Sequence, residues 1–173
     1  VYNKRKGKEF NSKNPYIIYV PTGCWKKELN SEKIMNKINF KKLGYNFCNL
    51  AHPASSFFQP KNYSKNNNAD EEMCKADIVI SDYSGIGLHS IACNIPTILI
   101  DNPEWDKKNP DQDSICVISR NAAIRCKNEK DILNAIKKYM ENPIFLQNKR
   151  LEYGPRLSQY VGNSSKIFVD ELE

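Results

Sequence analysis

The residues with the most chemical promise lie in one short run, Ser81-Asp82-Tyr83-Ser84-Gly85-Ile86-Gly87. It follows an apolar stretch, Asp77-Ile78-Val79-Ile80-Ser81, and leads into a helical segment that ends near Asn94. A hydroxyl-rich turn between a strand and a helix suits a phosphate. The first amide hydrogens of a helix have no acceptor inside it, and the helix dipole is positive there. Gly85 would let a ligand come close to the backbone. The run is neither the dinucleotide G-x-G-x-x-G pattern nor a P-loop, which needs a Gly-Lys-Ser/Thr end. A capped helix start with no ligand is the plain alternative. Asp82 reads as a negative cap or as an orienter of the turn, because a carboxylate repels a phosphate.

Few other residues could join it. His52 ends a second candidate strand, and Pro53 holds its backbone extended. Its imidazole would lie beside the Ser81–Gly85 turn if the two strands are neighbours. A phosphate there would favour protonated histidine and gain a charge-assisted bond. His89, four positions past Gly85, could reach the same cleft or pack against a neighbour. Thr22 and Asp101 end two further strands, and Asp101 with Glu104 could meet sugar hydroxyls. Gly162-Asn163-Ser164-Ser165 offers amides and hydroxyls for a second phosphate clasp, or for an ordinary cap.

Other chemistries are poorly served. The six cysteines, Cys24, Cys48, Cys74, Cys93, Cys116 and Cys126, never form CxxC. Cys48, Cys93 and Cys116 lie in or beside apolar segments and read as small buried hydrophobes. Two histidines cannot build a multi-histidine metal centre. No G-x-S-x-G elbow marks a serine hydrolase. No Asp-x-Asp pattern exists to hold a divalent ion beside a diphosphate.

The elements that must position these residues are short. Tyr16–Val20, Tyr45–Leu50, Asp77–Ser81, Pro96–Ile100 and Ser114–Ile118 read as strands. Ser31–Leu43, Ala69–Lys75, the segment after Gly85 and Glu129–Glu141 read as helices. In the last, Ile132, Ala135, Ile136 and Tyr139 share one face. Buried strands alternating with helices predict an α/β fold, a Rossmann-like doubly wound parallel sheet. Such sheets bind ligands at the carboxyl ends of their strands. Residues 1–14 read as a flexible basic lead-in, 15–143 as the nucleotide-binding domain, and 144–173 as a helical tail packing on it. That tail is expected to break at Gly154-Pro155 and again around Gly162.

Charge excludes less. The chain has 173 residues, 26 Lys+Arg against 20 Asp+Glu, and a net charge of +6. Only five of the basic residues are arginine, which disfavours nucleic-acid reading. A solvated lysine-rich surface is the plain reading. No run is long enough to span a membrane. Free thiols without a secretion signal suggest a cytoplasmic setting.

Five landmarks together resemble a known family. They are Tyr19-Val20-Pro21-Thr22, Ala51-His52-Pro53, the stretch from Ala76 to Ile86, Asn94-Ile95-Pro96-Thr97-Ile98-Leu99, and Gly162-Asn163-Ser164-Ser165. Their order and spacing resemble the CDP-glycerol glycerophosphotransferases, the teichoic-acid primases and polymerases, over about residues 16–169. The resemblance implies the C-terminal, donor-nucleotide half of a GT-B-like transferase in teichoic-acid-like or capsular polymer synthesis. It implies that His52 binds the donor phosphates, that Ser84 and Gly85 face the donor and that Gly162 to Ser165 lie near it; with the residues read above, the expected donor-binding set is Thr22, His52, Ser81, Asp82, Ser84, Gly85, His89, Gly162, Ser164 and Ser165. No catalytic residue, cofactor or metal is assigned within this chain. The implied partners are CDP-glycerol, another CDP-polyol or a nucleotide sugar, and a polymer or lipid-linked acceptor held by an N-terminal half. The general base would lie in that half, so a truncated chain alone should turn over little. The full-length protein could sit at the inner face of the plasma membrane. The chain departs from the family pattern at Gly85 (usually Ser), His89 (usually Asp), Val161 (usually Asp) and Ile167 (usually Arg). The first motif usually continues Thr-Trp-Arg, where this chain has Thr22-Gly23-Cys24-Trp25-Lys26. A glycosyltransferase, a UDP-GlcNAc 2-epimerase-like domain and a non-catalytic nucleotide-binding domain therefore stay open as alternatives.

Overall fold

The computed structural model describes residues 5, 7–23, 30–50, 52, 68–103 and 114–157. Its five strands are β1 (Tyr16–Val20), β2 (Asn46–Asn49), β3 (Ile78–Ser81), β4 (Thr97–Ile100) and β5 (Ile124–Cys126). They form one sheet in the order β2-β1-β3-β4-β5, every pair parallel. The helices are α1 (Asn30–Met35), α2 (Ala69–Lys75), α3 (Gly85–Ala92), α4 (Ile115–Ile118), α5 (Glu129–Glu141) and α6 (Gln147–Leu157).

The strands are apolar throughout because both faces are covered, and their period of two sorts the core. Ile17, Tyr19, Ile78, Ile80, Ile98 and Ile100 point to one face. There they meet Ile34 and Met35 of α1 and Ile132, Ala135, Ile136 and Tyr139 of α5. Ile18, Val20 and Val79 point to the other, onto Met73 of α2 and the α3–β4 connection at Cys93 and Ile95. Leu99 on that face meets Ile91 of α3, with Tyr153 and Leu157 of α6 packed alongside. The step from β1 to β2 runs one way across the sheet, and the later steps run the other. Right-handed crossovers then put α1 on the opposite face from α2 and α3. The reversal falls between β1 and β3, the switch point where such sheets open a crevice.

The structure departs from expectation in four places. The helix expected over Ser31–Leu43 stops at Met35. Asn39 Oδ1 accepts the Lys42 amide at 2.9 Å and starts a separate turn, while Phe40 stacks on Phe47 at 3.9 Å. The strand expected at Ser114–Ile118 is instead helix α4, none of it fully buried, and Cys116 is exposed rather than buried. Short apolar runs do not separate strand from helix by pattern. The edge position goes to Ile124-Arg125-Cys126, where Ile98 pairs with Ile124. Finally, α6 runs through Gly154-Pro155 unbroken. A methyl on Gly154 would lie 3.2 Å from the Ala92 carbonyl oxygen, so the glycine is where α6 closes on α3. Buried Arg150 fixes the same contact, bonding the Phe145 carbonyl at 2.8 Å and Asn94 Oδ1 at 3.1 Å. Burial lowers the pKa of its guanidinium.

The basic lead-in also makes contacts. Arg5 donates to the Met73 and Ala76 carbonyls at 2.7 and 2.6 Å, at the C-terminus of α2, where a cation complements the helix dipole. Lys8 pairs with Asp77, whose other oxygen accepts the Tyr16 amide at 2.8 Å.

Candidate functional site

The site is built at the carboxyl ends of β1, β2 and β3. Its centre is Asp82, buried just past β3. Asp82 Oδ1 accepts the Thr22 amide at 2.9 Å, the Thr22 hydroxyl at 2.7 Å and the Ser84 amide at 3.2 Å. Its Oδ2 accepts the Ser31 hydroxyl at 2.7 Å. One carboxylate thus ties together the loop after β1, the start of α1 and the turn into α3. Four donors fill its acceptor sites, so its role here is structural.

Ser84 caps α3 in extended conformation, and its hydroxyl accepts the Ile86 amide at 3.3 Å. Gly85 opens the helix, is exposed, and has nothing within 4 Å of where a side chain would start. His89 is exposed one turn further on, the spacing that puts it on Gly85's side of α3. Gly87 lies on the buried side, where a methyl would come within 3.1 Å of Ser81 and 3.2 Å of Leu99. The glycine that allows close helix–strand packing is therefore Gly87, while Gly85 faces open space.

Ser81 is a correction to the sequence reading. It is wholly buried, and its hydroxyl donates to the Val20 carbonyl at 2.7 Å, so it faces the interior rather than a ligand. The strand neighbourhood on which the placement of His52 depended is not found. β2 and β3 are not neighbours, because β1 lies between them. The imidazole is exposed and rests on the loop after β1, where a methyl on Gly23 would lie 2.4 Å from its Nδ1. Gly162, Ser164, Ser165 and Glu104 lie outside the described residues, as do Val161, Ile167 and Cys24.

On the β4 side, Asp101 takes Arg125 Nε at 2.6 Å. The Tyr83 hydroxyl donates to the Asn102 carbonyl at 3.0 Å and accepts the Asn102 amide. Buried Arg120 stacks its guanidinium 4.0 Å from the Tyr83 ring centre. Sequence reasoning gave no site role to Gly23, Ser31, Gly87, Arg120 or Arg125. Only Gly87 carried a local signal, since a glycine inside a helical pattern usually answers a packing demand.

Among the described residues, no group of three or more His, Cys, Asp or Glu side chains is placed to hold a metal ion. No described helix is long and apolar enough to cross a membrane. What the arrangement offers is an exposed helix start at Gly85, an exposed His89 one turn along the same helix, an exposed His52 on the loop after β1, and a carboxylate bracket joining that loop to the helix start.

No protein-family model matches the sequence, and no curated protein matches it. Solved structures do resemble it. The wall teichoic acid polymerase TagF is 18% identical with a TM-score of 0.57, over 99% of this chain and 47% of the polymerase. A variant of that polymerase soaked with CDPG is 20% identical, with a TM-score of 0.57, over 99% of this chain and 46% of its own. The glycotransferase of kitacinnamycin is 10% identical, with a TM-score of 0.54, over 95% of this chain and 44% of its own. The chain thus spans less than half the length of these structures. At such identities the likeness shows the fold, a Rossmann-like unit of the GT-B-like kind.

Proposed function

We propose that this chain is the donor-nucleotide-binding half of a polyol-phosphate transferase of the CDP-glycerol type. The observation that carries the reading is the open N-terminus of α3 at Gly85, beside the β1/β3 switch point. The positive end of the α3 dipole and the exposed backbone at Gly85 suit a diphosphate at that place. The five motifs and the fold of the teichoic acid polymerase support the donor class. In this reading the donor meets Thr22, His52, Ser84, Gly85 and His89. Asp82 positions the turn. Gly162, Ser164 and Ser165 remain part of the proposal on motif alone.

In the proposed reaction an acceptor hydroxyl attacks the β-phosphorus of the donor. A new P–O bond forms to the acceptor oxygen, and the bond from that phosphorus to the bridging oxygen breaks. CMP leaves with the bridging oxygen, and the acceptor's proton passes to a base on a second domain. This half contributes by holding the diphosphate in line and by neutralising its charge with helix amides and His52. A lipid-linked or polymeric acceptor on that second domain would place the full protein at the cytoplasmic face of the membrane.

Titration calorimetry against CMP, CDP-glycerol and UDP-GlcNAc tests the reading, with His52→Ala alongside. CDP-glycerol should bind more tightly than UDP-GlcNAc, and the substitution should weaken it roughly 10- to 150-fold, as loss of one charge-assisted bond of about 1.5–3 kcal/mol would. Preference for UDP-GlcNAc would favour a nucleotide-sugar enzyme instead. An unaltered affinity in His52→Ala would remove His52 from the site.

A further inference from the structure

We propose that Gly23 is a positioning residue for His52, an imidazole seat that exists because no side chain stands there. The inference rests on the reading that His52 meets the donor phosphates, and it adds a residue to that site. A methyl on Gly23 would fall 2.4 Å from His52 Nδ1, 2.8 Å from Cγ and 2.9 Å from Cε1. Three ring atoms inside 3 Å mean the ring lies flat over the glycine, where only hydrogen fits. The φ angle of Gly23 is outside the left-handed region, so alanine strains no backbone there, and the three atoms nearest the added methyl all belong to the ring. The seat is also rigid. Gly23 follows Thr22, whose amide and hydroxyl are both bonded to Asp82, and the same carboxylate holds the Ser84 amide. A single bracket therefore sets the ring's floor and the turn that opens α3. Glycine at this position is one of the chain's departures from the Thr-Trp-Arg continuation. A bulky residue there would leave the imidazole no such seat.

The seat can be tested without a substrate. The ring C–H resonances of His52 are identified by their loss in His52→Ala, and compared between wild type and Gly23→Ala. They should shift clearly in Gly23→Ala. Resonances unchanged in Gly23→Ala would overturn the proposal. Binding of CDP-glycerol gives the second arm. Gly23→Ala should lose as much affinity as His52→Ala, and the double variant should lose no more than either. Full additivity would also overturn the seat. Should His52→Ala itself leave affinity intact, the donor reading of His52 falls, while the ring resonances still decide the seat. If Gly23→Ala destabilises the fold, combining it with His52→Ala should restore the midpoint. Failure to restore would count against the ring as the cause.

Discussion

Two side chains on neighbouring residues do opposite jobs. Ser81 faces inward and makes one bond, to the Val20 carbonyl. Asp82 gathers four donors from three segments. Ser81→Ala should therefore cost about 1 kcal/mol of stability, the net worth of a neutral hydrogen bond, and leave nucleotide affinity unchanged. Asp82→Ala should do far more. Each buried donor left without a partner costs roughly 1–3 kcal/mol, and the Thr22 loop and the α3 turn would also lose their common anchor. Chemical denaturation and nucleotide titration on both variants would check this. Equal losses of affinity in the two would show that Ser81 does reach the ligand. The turn-orienting role of Asp82 was legible from its charge, but the burial of Ser81 was not, because a strand end shows which residues are polar but not which way each one turns. Period two resolves it afterwards: Ser81 follows Val79 onto the face covered by α3, where Gly87 leaves it room.

At the scale of elements, α3 carries the sharpest contrast. Gly85 and Gly87 are two residues apart on one helix, yet one faces open space and the other faces Ser81 and Leu99. Replacing Gly85 with alanine should stabilise the chain by about 0.4–1 kcal/mol, since its backbone is helical and nothing blocks the methyl. Replacing Gly87 should lower the thermal midpoint, because atoms at 3.1–3.2 Å must give way in a packed layer. A stabilised Gly87→Ala would mean that α3 is not pressed onto the sheet as described. Elements with strong local signals were legible beforehand. Ala69–Lys75 and Glu129–Glu141 match expectation to the residue, since an Asn cap precedes each and α5 has a clean apolar stripe. β5 was not legible. It is three residues long with an exposed arginine at its centre, and only the unpaired edge of β4 makes it a strand. The α4 run was misread for the converse reason: it is apolar enough for a strand, but no edge is left for it. The passage of α6 through Pro155 was equally hidden, because what holds the helix together is the contact of Gly154 with Ala92 and the bonds of Arg150.

Taken whole, the fold was readable because a parallel sheet covered on both faces writes nearly continuous apolar runs. The site was readable only as far as topology, since strand order decides which loops meet. That same burial makes a prediction for the molecule as a unit. Burial pushes the Cys126 thiol up to about 12 from its ordinary 9.0, and Tyr139 up to about 12 from 10.0. Tyr19 and Cys93 are raised in the same direction, again mainly by burial. These groups are neutral acids when protonated, and the folded state keeps them so. Their contribution is therefore fully present below pH 9 and is lost as pH rises from the unfolded value toward the folded one. Cys126 alone would cost on the order of 2–3 kcal/mol by pH 11, at about 1.4 kcal/mol for each pH unit above 9. An opposing effect exists, because the chain is +6 at neutral pH and deprotonating lysines relieves self-repulsion. Most of those charges are exposed and spread over the surface, so salt screens them. The buried acids should win. Thermal unfolding followed from pH 7 to 11 at moderate salt should hold level to about pH 9 and then fall steeply. In Cys126→Ala the midpoint should start lower, because a buried side chain is lost, and decline less steeply with pH. A midpoint that stays level to pH 11 in the parent would mean that these side chains are not sealed from water, and the two-faced core described here would be wrong.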